Sequence, residues 1–312
     1  MPCIPYNGHM EAEFVRWLRE HVPPHPDLPL GLSDDAAVLS RAQSPGIVVT
    51  ADLLSDGIDF RLAEVDARRV GRKALAVNLS DLAAMASRPL AAVVAIALPC
   101  AGCGSRSPLD LAIAIYEGLL PLAAEFDVAI AGGDTNTHEG PLVISVTALG
   151  EVSDRGPLTR SGGRPGDKLL VTGALGGSLA GHHLDFTPRV REALLLNGQF
   201  DLHAGMDISD GLALDLQRLA TESGCGAIIR TDQVPIAAAA LAMPSPLQHA
   251  LVDGEDFELL LAAPPEVAEA ILRAQPLACP ITCIGELIHE PGLWQQSPDG
   301  RRLPLAPSGW QH

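Results

Sequence analysis

The stretch from Asp66 to Met85 sets the strongest limit on how this chain can fold. It reads Asp-Ala-Arg-Arg-Val-Gly-Arg-Lys-Ala-Leu-Ala-Val-Asn-Leu-Ser-Asp-Leu-Ala-Ala-Met, a helix pattern built from small aliphatic residues and free of proline. A helix this apolar must be covered by other elements, yet it carries Asp81 near its end. An ionised carboxylate buried without a cation or several donors is costly, so the surrounding fold has to supply one or the other at that point.

The rest of the chain supplies the covering elements. Pro-rich sequence at His21–Pro29 follows a helix candidate at Glu11–Glu20, and Gly31–Val38 reads as a loop entering a strand. Strand candidates at Gly46–Leu54, Ala91–Leu98, Val128–Ala131 and Leu142–Val152 surround a helix candidate at Leu109–Glu125. A second half opens on the turn-rich Ser153–Asp167. It continues with strands at Lys168–Thr172, Ala227–Thr231, Phe257–Ala262 and Ile281–Leu287, and with helices near Gly177–Leu184, Arg189–Leu196, Gly211–Ser223 and Ile236–Ala242. Runs of strand and helix in both halves give an α+β protein of two mixed domains, 1–152 and 153–312, each with sheet covered by helices.

Aspartates fall beside Gly, Ser or Thr at expected element ends: Asp34-Asp35, Thr50-Ala-Asp52, Asn78-Leu-Ser-Asp81, Gly132-Gly-Asp134-Thr and Asp207-Ile-Ser-Asp210-Gly. Taken one at a time, each is also explained by caps and turns. Taken together they form oxygen-rich loops suited to Mg²⁺, which accepts carboxylates together with water and phosphate oxygens, whereas zinc favours His and Cys. Cys100-Ala-Gly-Cys103 and Cys279-Pro-Ile-Thr-Cys283 have no histidine nearby in sequence and read as core or loop thiols. Gly173–Gly181 lacks the Gly-Lys-Ser/Thr ending of a P-loop, and no Gly-x-Ser-x-Gly elbow is present.

With 38 acidic against 21 basic residues, a formal charge of -17 disfavours nucleic acid and anionic membranes. A phosphorylated small molecule binds such a surface if metal ions neutralise it. No run approaches the roughly 20 apolar residues of a membrane span, and the N-terminus lacks a signal-peptide pattern, so a cytoplasmic protein is expected.

The order and wording of these motifs resemble the thiamine-monophosphate kinases, in the superfamily of aminoimidazole ribonucleotide synthetase and selenophosphate synthetase. The resemblance rests on Lys73–Met85, Gly132-Gly-Asp-Thr135, Leu158-Thr-Arg-Ser-Gly162 with Pro165-Gly-Asp167, Asp207–Leu212 and Gly254-Glu-Asp-Phe-Glu-Leu259. It implies ATP-dependent phosphorylation of thiamine monophosphate, with Mg²⁺ as cofactor and ATP as co-substrate, in a homodimer paired through the N-terminal sheets. It implies metal ligands at Asp35, Thr50, Asp52, Asp81, Asp134, Asp207 and Asp210. Gly133, Asp134, Arg160 and Ser209 would face the nucleotide, and Asp59, Glu255 and Trp310 the acceptor. No general base is assigned, because a phosphate acceptor is already anionic at neutral pH.

Departures from the family pattern are Ser33 before Asp34-Asp35, Ala51 and Leu53 flanking Asp52, Asp59 in place of a substrate-facing histidine, and Asn136–Glu139 after Gly-Gly-Asp-Thr. They leave open a relative that uses the same ATP site on another acceptor, or a catalytically silent nucleotide-binding dimer.

Overall fold

The computed structural model describes residues 36–41 and 44–310. The helix expected at Glu11–Glu20, together with Asp34 and Asp35, lies outside the described residues. The first half runs β1 (Ala37–Arg41), β2 (Ser44–Ser55), α1 (Ala67–Ala84), β3 (Arg88–Pro99), α2 (Pro108–Glu125), β4 (Ala129–His138) and β5 (Val143–Glu151). Its strands form a five-stranded sheet in the order β1-β2-β5-β3-β4. All neighbours are antiparallel except β3 and β4, whose parallel pairing follows from the α2 crossover between them.

Among the described residues, one face of this sheet is packed and the other is bare. Along β5, Ile144, Val146 and Ala148 are buried while the residues between them are half-exposed, which is the period-2 pattern of a sheet covered on one side. α1 and α2 provide the cover. They approach so closely that a Cβ on Gly71 would stand 1.9 Å from the Ile115 carbonyl oxygen, and one on Gly118 would stand 1.7 Å from that of Arg68. Only glycine permits this crossing. On the bare face Leu53 is 62% exposed and Val93 40%.

The second half contains β6 (Lys168–Thr172), α3 (His182–Asp185), α4 (Val190–Gln199), β7 (Ala204–Asp207), α5 (Leu212–Glu222), β8 (Gly226–Arg230), α6 (Ala238–Leu241), α7 (Pro246–Val252), β9 (Leu259–Ala263), α8 (Pro265–Ala274), β10 (Ile281–Ile288), β11 (Leu293–Gln296) and β12 (Arg302–Pro304). Seven strands pair in the order β12-β11-β8-β10-β6-β9-β7. Its strands β6, β9 and β7 are buried on both faces, while the edge strand β12 is exposed. Leu169 and Val171 belong to a core under α5, whereas Leu170 between them joins the core that contains α1; β9 divides likewise, Leu260 and Ala262 one way and Leu259 and Leu261 the other. Burial on both faces explains why these strands read as unbroken apolar runs.

Several sequence expectations change. β4 continues through Gly132-Gly-Asp-Thr to His138 instead of ending at Ala131, and Asp52 lies inside β2 instead of at its end. The helix expected near Gly177–Leu184 is a 3₁₀ turn at Ser178–Ala180 followed by the four residues of α3. The helix expected at Ile236–Ala242 contracts to the single turn of α6. No described helix is long and apolar enough to cross a membrane.

Candidate phosphoryl-transfer site

α1 is the shared element between the halves. Asp66 caps it, accepting the Arg68 N–H at 2.9 Å, so the helix starts in a fixed phase. Its C-terminal turn is then tied to both sheets. The Thr50 hydroxyl of β2 donates to the Asp81 carboxylate, and the Ser80 hydroxyl donates to Asp207 of β7 at 2.5 Å. Asp207 is 1% exposed. Asp52 lies two residues beyond Thr50 and therefore on the same face of β2. Residues from three distant segments, Thr50 and Asp52, Ser80 and Asp81, and Asp207, thus meet around one end of α1.

Asp210 stands at the start of α5. It accepts from Arg218 at 2.5 Å, and its own N–H donates to Asp215 at 2.9 Å, while Arg218 also reaches Asp215 at 2.9 Å. Burial, reinforced by the Asp210 charge, pushes the Asp215 pKa up to about 7, and the neighbouring guanidinium opposes that shift. Among the described residues no group of three His, Cys, Asp or Glu side chains is placed to hold a metal ion; the oxygens of Thr50, Asp52, Ser80, Asp81 and Asp207 form an arc around the end of α1.

Asp134 stands apart from this arc. It pairs with Ala95, which pairs with Ser145, which pairs with Leu53, and cross-strand partners share a face. That row lies on the bare face of the sheet. Asp52 shares its row with Val146, Val94 and Gly133 on the covered face. Three strand spacings, about 14 Å, separate Asp134 from Leu53. Gly133 has a structural reason of its own, since a Cβ there would meet the Val94 carbonyl oxygen at 1.8 Å.

Of the remaining predicted residues, Glu255 and Trp310 bond to the Asp207–Gly211 loop, whereas Asp59 lies beside Lys73. The Ser209 carbonyl accepts the Glu255 N–H at 2.6 Å, and the Asp210 carbonyl accepts the Trp310 N–H at 2.8 Å. Gly309 is required beside it, because a Cβ would approach the Asp210 oxygen to 2.2 Å. Arg160 is held through its carbonyl, which accepts from Ser223 at 2.5 Å, and its charge is felt at Asp215 and Arg218. Asp59 turns its carboxylate onto the Ser55 N–H at 2.6 Å and its carbonyl onto Lys73 Nζ at 2.9 Å.

Sequence reasoning missed Lys73, Ser80, Asp215, Arg218 and Asp256. Asp256 has its pKa raised to about 8, mainly by burial, with one oxygen accepting the Gly176 N–H at 2.8 Å. That bond gives the Gly173–Gly181 segment a role: it packs on the loop carrying Glu255. Ser80 could have been found beside Asp81, but the partners of the others are defined only by the fold.

Comparison with known proteins agrees with this geometry. Two family profiles match, AIR synthase related protein, N-terminal domain over residues 33–152 and C-terminal domain over residues 164–293. A thiamine-monophosphate kinase from Rhodopirellula baltica is 40% identical over 315 residues, covering 97% of both chains. The chain belongs to the thiamine-monophosphate kinases. Among solved structures, the thiamine-monophosphate kinase from Stenotrophomonas maltophilia K279a is 33% identical, with a TM-score of 0.72 and coverage of 96% of this chain and 98% of that one. AaThiL complexed with AMPPCP and TMP is 26% identical, with a TM-score of 0.79 and coverage of 97% and 96%. Family membership of this extent accounts for two mixed domains whose sheets are covered by helices.

Proposed function

We propose that the chain transfers the γ-phosphoryl group of ATP to the phosphate of thiamine monophosphate, giving thiamine diphosphate and ADP. The observation that carries this reading is the double tether of α1, Thr50 to Asp81 and Ser80 to Asp207, which draws hard oxygen donors from both sheets to one place. Family membership over 97% of the chain and a fold shared with AaThiL complexed with AMPPCP and TMP support it.

The donor set fits Mg²⁺. It is all oxygen, it leaves room for water and phosphate ligands, and one turn before Asp81 the buried Asn78 Oδ1 has no donor among the described residues. Asp52, Asp81, Asp207 and Asp210 would hold the ions with Thr50, and Asp35 would join them from outside the described residues. Bound there, Mg²⁺ would neutralise charge on the triphosphate. The protein's own part is positioning: Arg160 and Ser209 face the nucleotide, while Glu255, Asp59 and Trp310 hold the acceptor in line. Two phosphates that repel each other react only when held at a fixed distance, so orientation and electrostatics dominate and no side chain need take a proton.

A homodimer is part of this reading. The bare sheet face, with Leu53 and Val93 exposed, is an apolar surface of the kind that seeks a partner. Asp134 and Gly133 lie on or beside it, so Asp134 would serve a nucleotide site at that interface. In this reading residues 1–152 form the nucleotide-binding and dimerisation domain, and residues 153–312 complete the site. The net charge of -17 argues against nucleic acid and anionic membranes as partners.

One observation favours a different acceptor on the same ATP site: Asp59 replaces the family's histidine and commits its carboxylate to its own turn. Incubation with Mg·ATP and a panel of phosphorylated acceptors, with ADP and product separated chromatographically, decides between the two. Equal yields of ADP and thiamine diphosphate are expected. ADP formed only with another acceptor would move the function to that compound, and ATP bound without turnover of any acceptor would leave a silent binding dimer.

A further inference from the structure

Lys73 is wholly buried at 0% exposure, the bulkiest side chain so enclosed among the described residues, although it is a cation on a helix filled with small aliphatic residues. Long charged side chains reach that state only when paired. Its ammonium has acceptors on two segments far apart in sequence, the Asp59 carbonyl oxygen at 2.9 Å and the Glu255 carboxylate. Both residues are assigned above to the acceptor, alongside Trp310.

The loop that carries Glu255 is strained. Gly254 has φ +72°, and Glu255 and Phe257, which bear side chains, have φ +54° and +51°. Such a backbone persists only where its surroundings hold it. Backbone bonds to Ser209 and Ile208 do part of this, at 2.6 and 2.8 Å, and Phe257 stacks on Phe186 with centroids 4.0 Å apart. None of these contacts fixes the direction of the Glu255 side chain; Lys73 does.

Charge points the same way. Arg69 is matched by Asp185 at 3.0 and 2.5 Å and so adds no net charge. His183 stands within electrostatic reach of Glu255 and Lys73, and burial lowers its pKa, favouring the neutral ring. Asp59 and Glu255 set two carboxylates against the one ammonium of Lys73, a lining that suits an acceptor ring with a fixed positive charge, as in a thiazolium.

We propose that Lys73 is the positioning residue of the acceptor pocket: it holds Glu255 and the Asp59 turn at one spacing, and acts on acceptor binding through Glu255. This rests on the functional reading above. The test is a double-mutant cycle of Lys73→Met, Glu255→Gln and the two combined, with KM measured for thiamine monophosphate and for ATP and with melting followed for each variant. Lys73→Met is expected to raise KM for thiamine monophosphate about ten-fold or more while KM for ATP stays within about two-fold. The combined variant is expected to match Glu255→Gln alone, since that substitution has already removed the charge that Lys73 positions.

Effects on the acceptor KM that multiply, or a parallel rise in both KM values, would overturn the proposal. If Lys73→Met fails to melt cooperatively, the combined variant, which leaves no uncompensated buried charge, decides alone: a KM for thiamine monophosphate well above that of Glu255→Gln overturns the role, and an equal one supports it. Wild-type protein that turns over no thiamine monophosphate would overturn the functional reading and the pocket with it. Active wild type whose variants violate the pattern overturns the positioning role only.

Discussion

Asp81→Asn is expected to lower kcat by about 10²–10³-fold, the scale seen when one preorganised electrostatic contact to a transition state is removed. The amide has the size of the carboxylate and still accepts the Thr50 hydroxyl, so the tether from β2 to α1 survives. What it loses is the negative charge that would hold a divalent ion beside Asp52 and Asp207. In metal-free protein the substitution also removes one of several like charges drawn together at the end of α1, so thermal stability without Mg²⁺ should be unchanged or slightly higher. Steady-state kinetics at saturating Mg·ATP, with melting in chelator, check both parts. Full activity would remove Asp81 from the site, and a collapse of the chelated melt would make its role structural.

Arg189→Met is expected to produce the largest stability loss away from the site. Arg189 grips Glu258 with two bonds at 2.7 and 2.5 Å, the Thr172 hydroxyl adds a third at 2.6 Å, and the Glu258 side chain is 5% exposed. Burial works against the guanidinium, but the Glu258 carboxylate more than compensates, and the Arg189 pKa is raised. Removing the cation strands a buried carboxylate, a change that costs about 3–5 kcal/mol. For domains of this size that corresponds to a fall of roughly 10 °C in Tm, readable by scanning calorimetry. Adding Glu258→Met should recover most of the loss, because two apolar side chains leave no orphaned charge. A double variant as unstable as the single one would place the cost in packing.

The sequence carried the site's chemistry better than its geometry. Asp81 was legible because a carboxylate inside an apolar helix needs a partner, and both the helix and the partnership hold, with Thr50 as the donor. The extent of β4 was hidden because Gly132-Gly-Asp-Thr reads as turn chemistry, whereas parallel pairing with β3 holds the segment extended. Tertiary pairing outweighs local preference there. Lys73 stands in the Lys73–Met85 motif, but its role is invisible there because its partner Glu255 is 182 residues away. The same holds for Arg189, whose partner is 69 residues away, and for Arg218, whose helix position says nothing about Asp210. α8 is absent from the sequence expectations, although Pro265 at its first turn is a start signal.

The most direct measurement is anomalous diffraction from crystals grown with Mn²⁺ and a non-hydrolysable ATP analogue. Convergence of acidic residues on a metal-bound triphosphate predicts manganese peaks bounded by the carboxylates of Asp52, Asp81 and Asp207, with analogue phosphate oxygens completing their coordination. Analogue bound with no manganese at those carboxylates, or manganese confined to other surfaces, would contradict it.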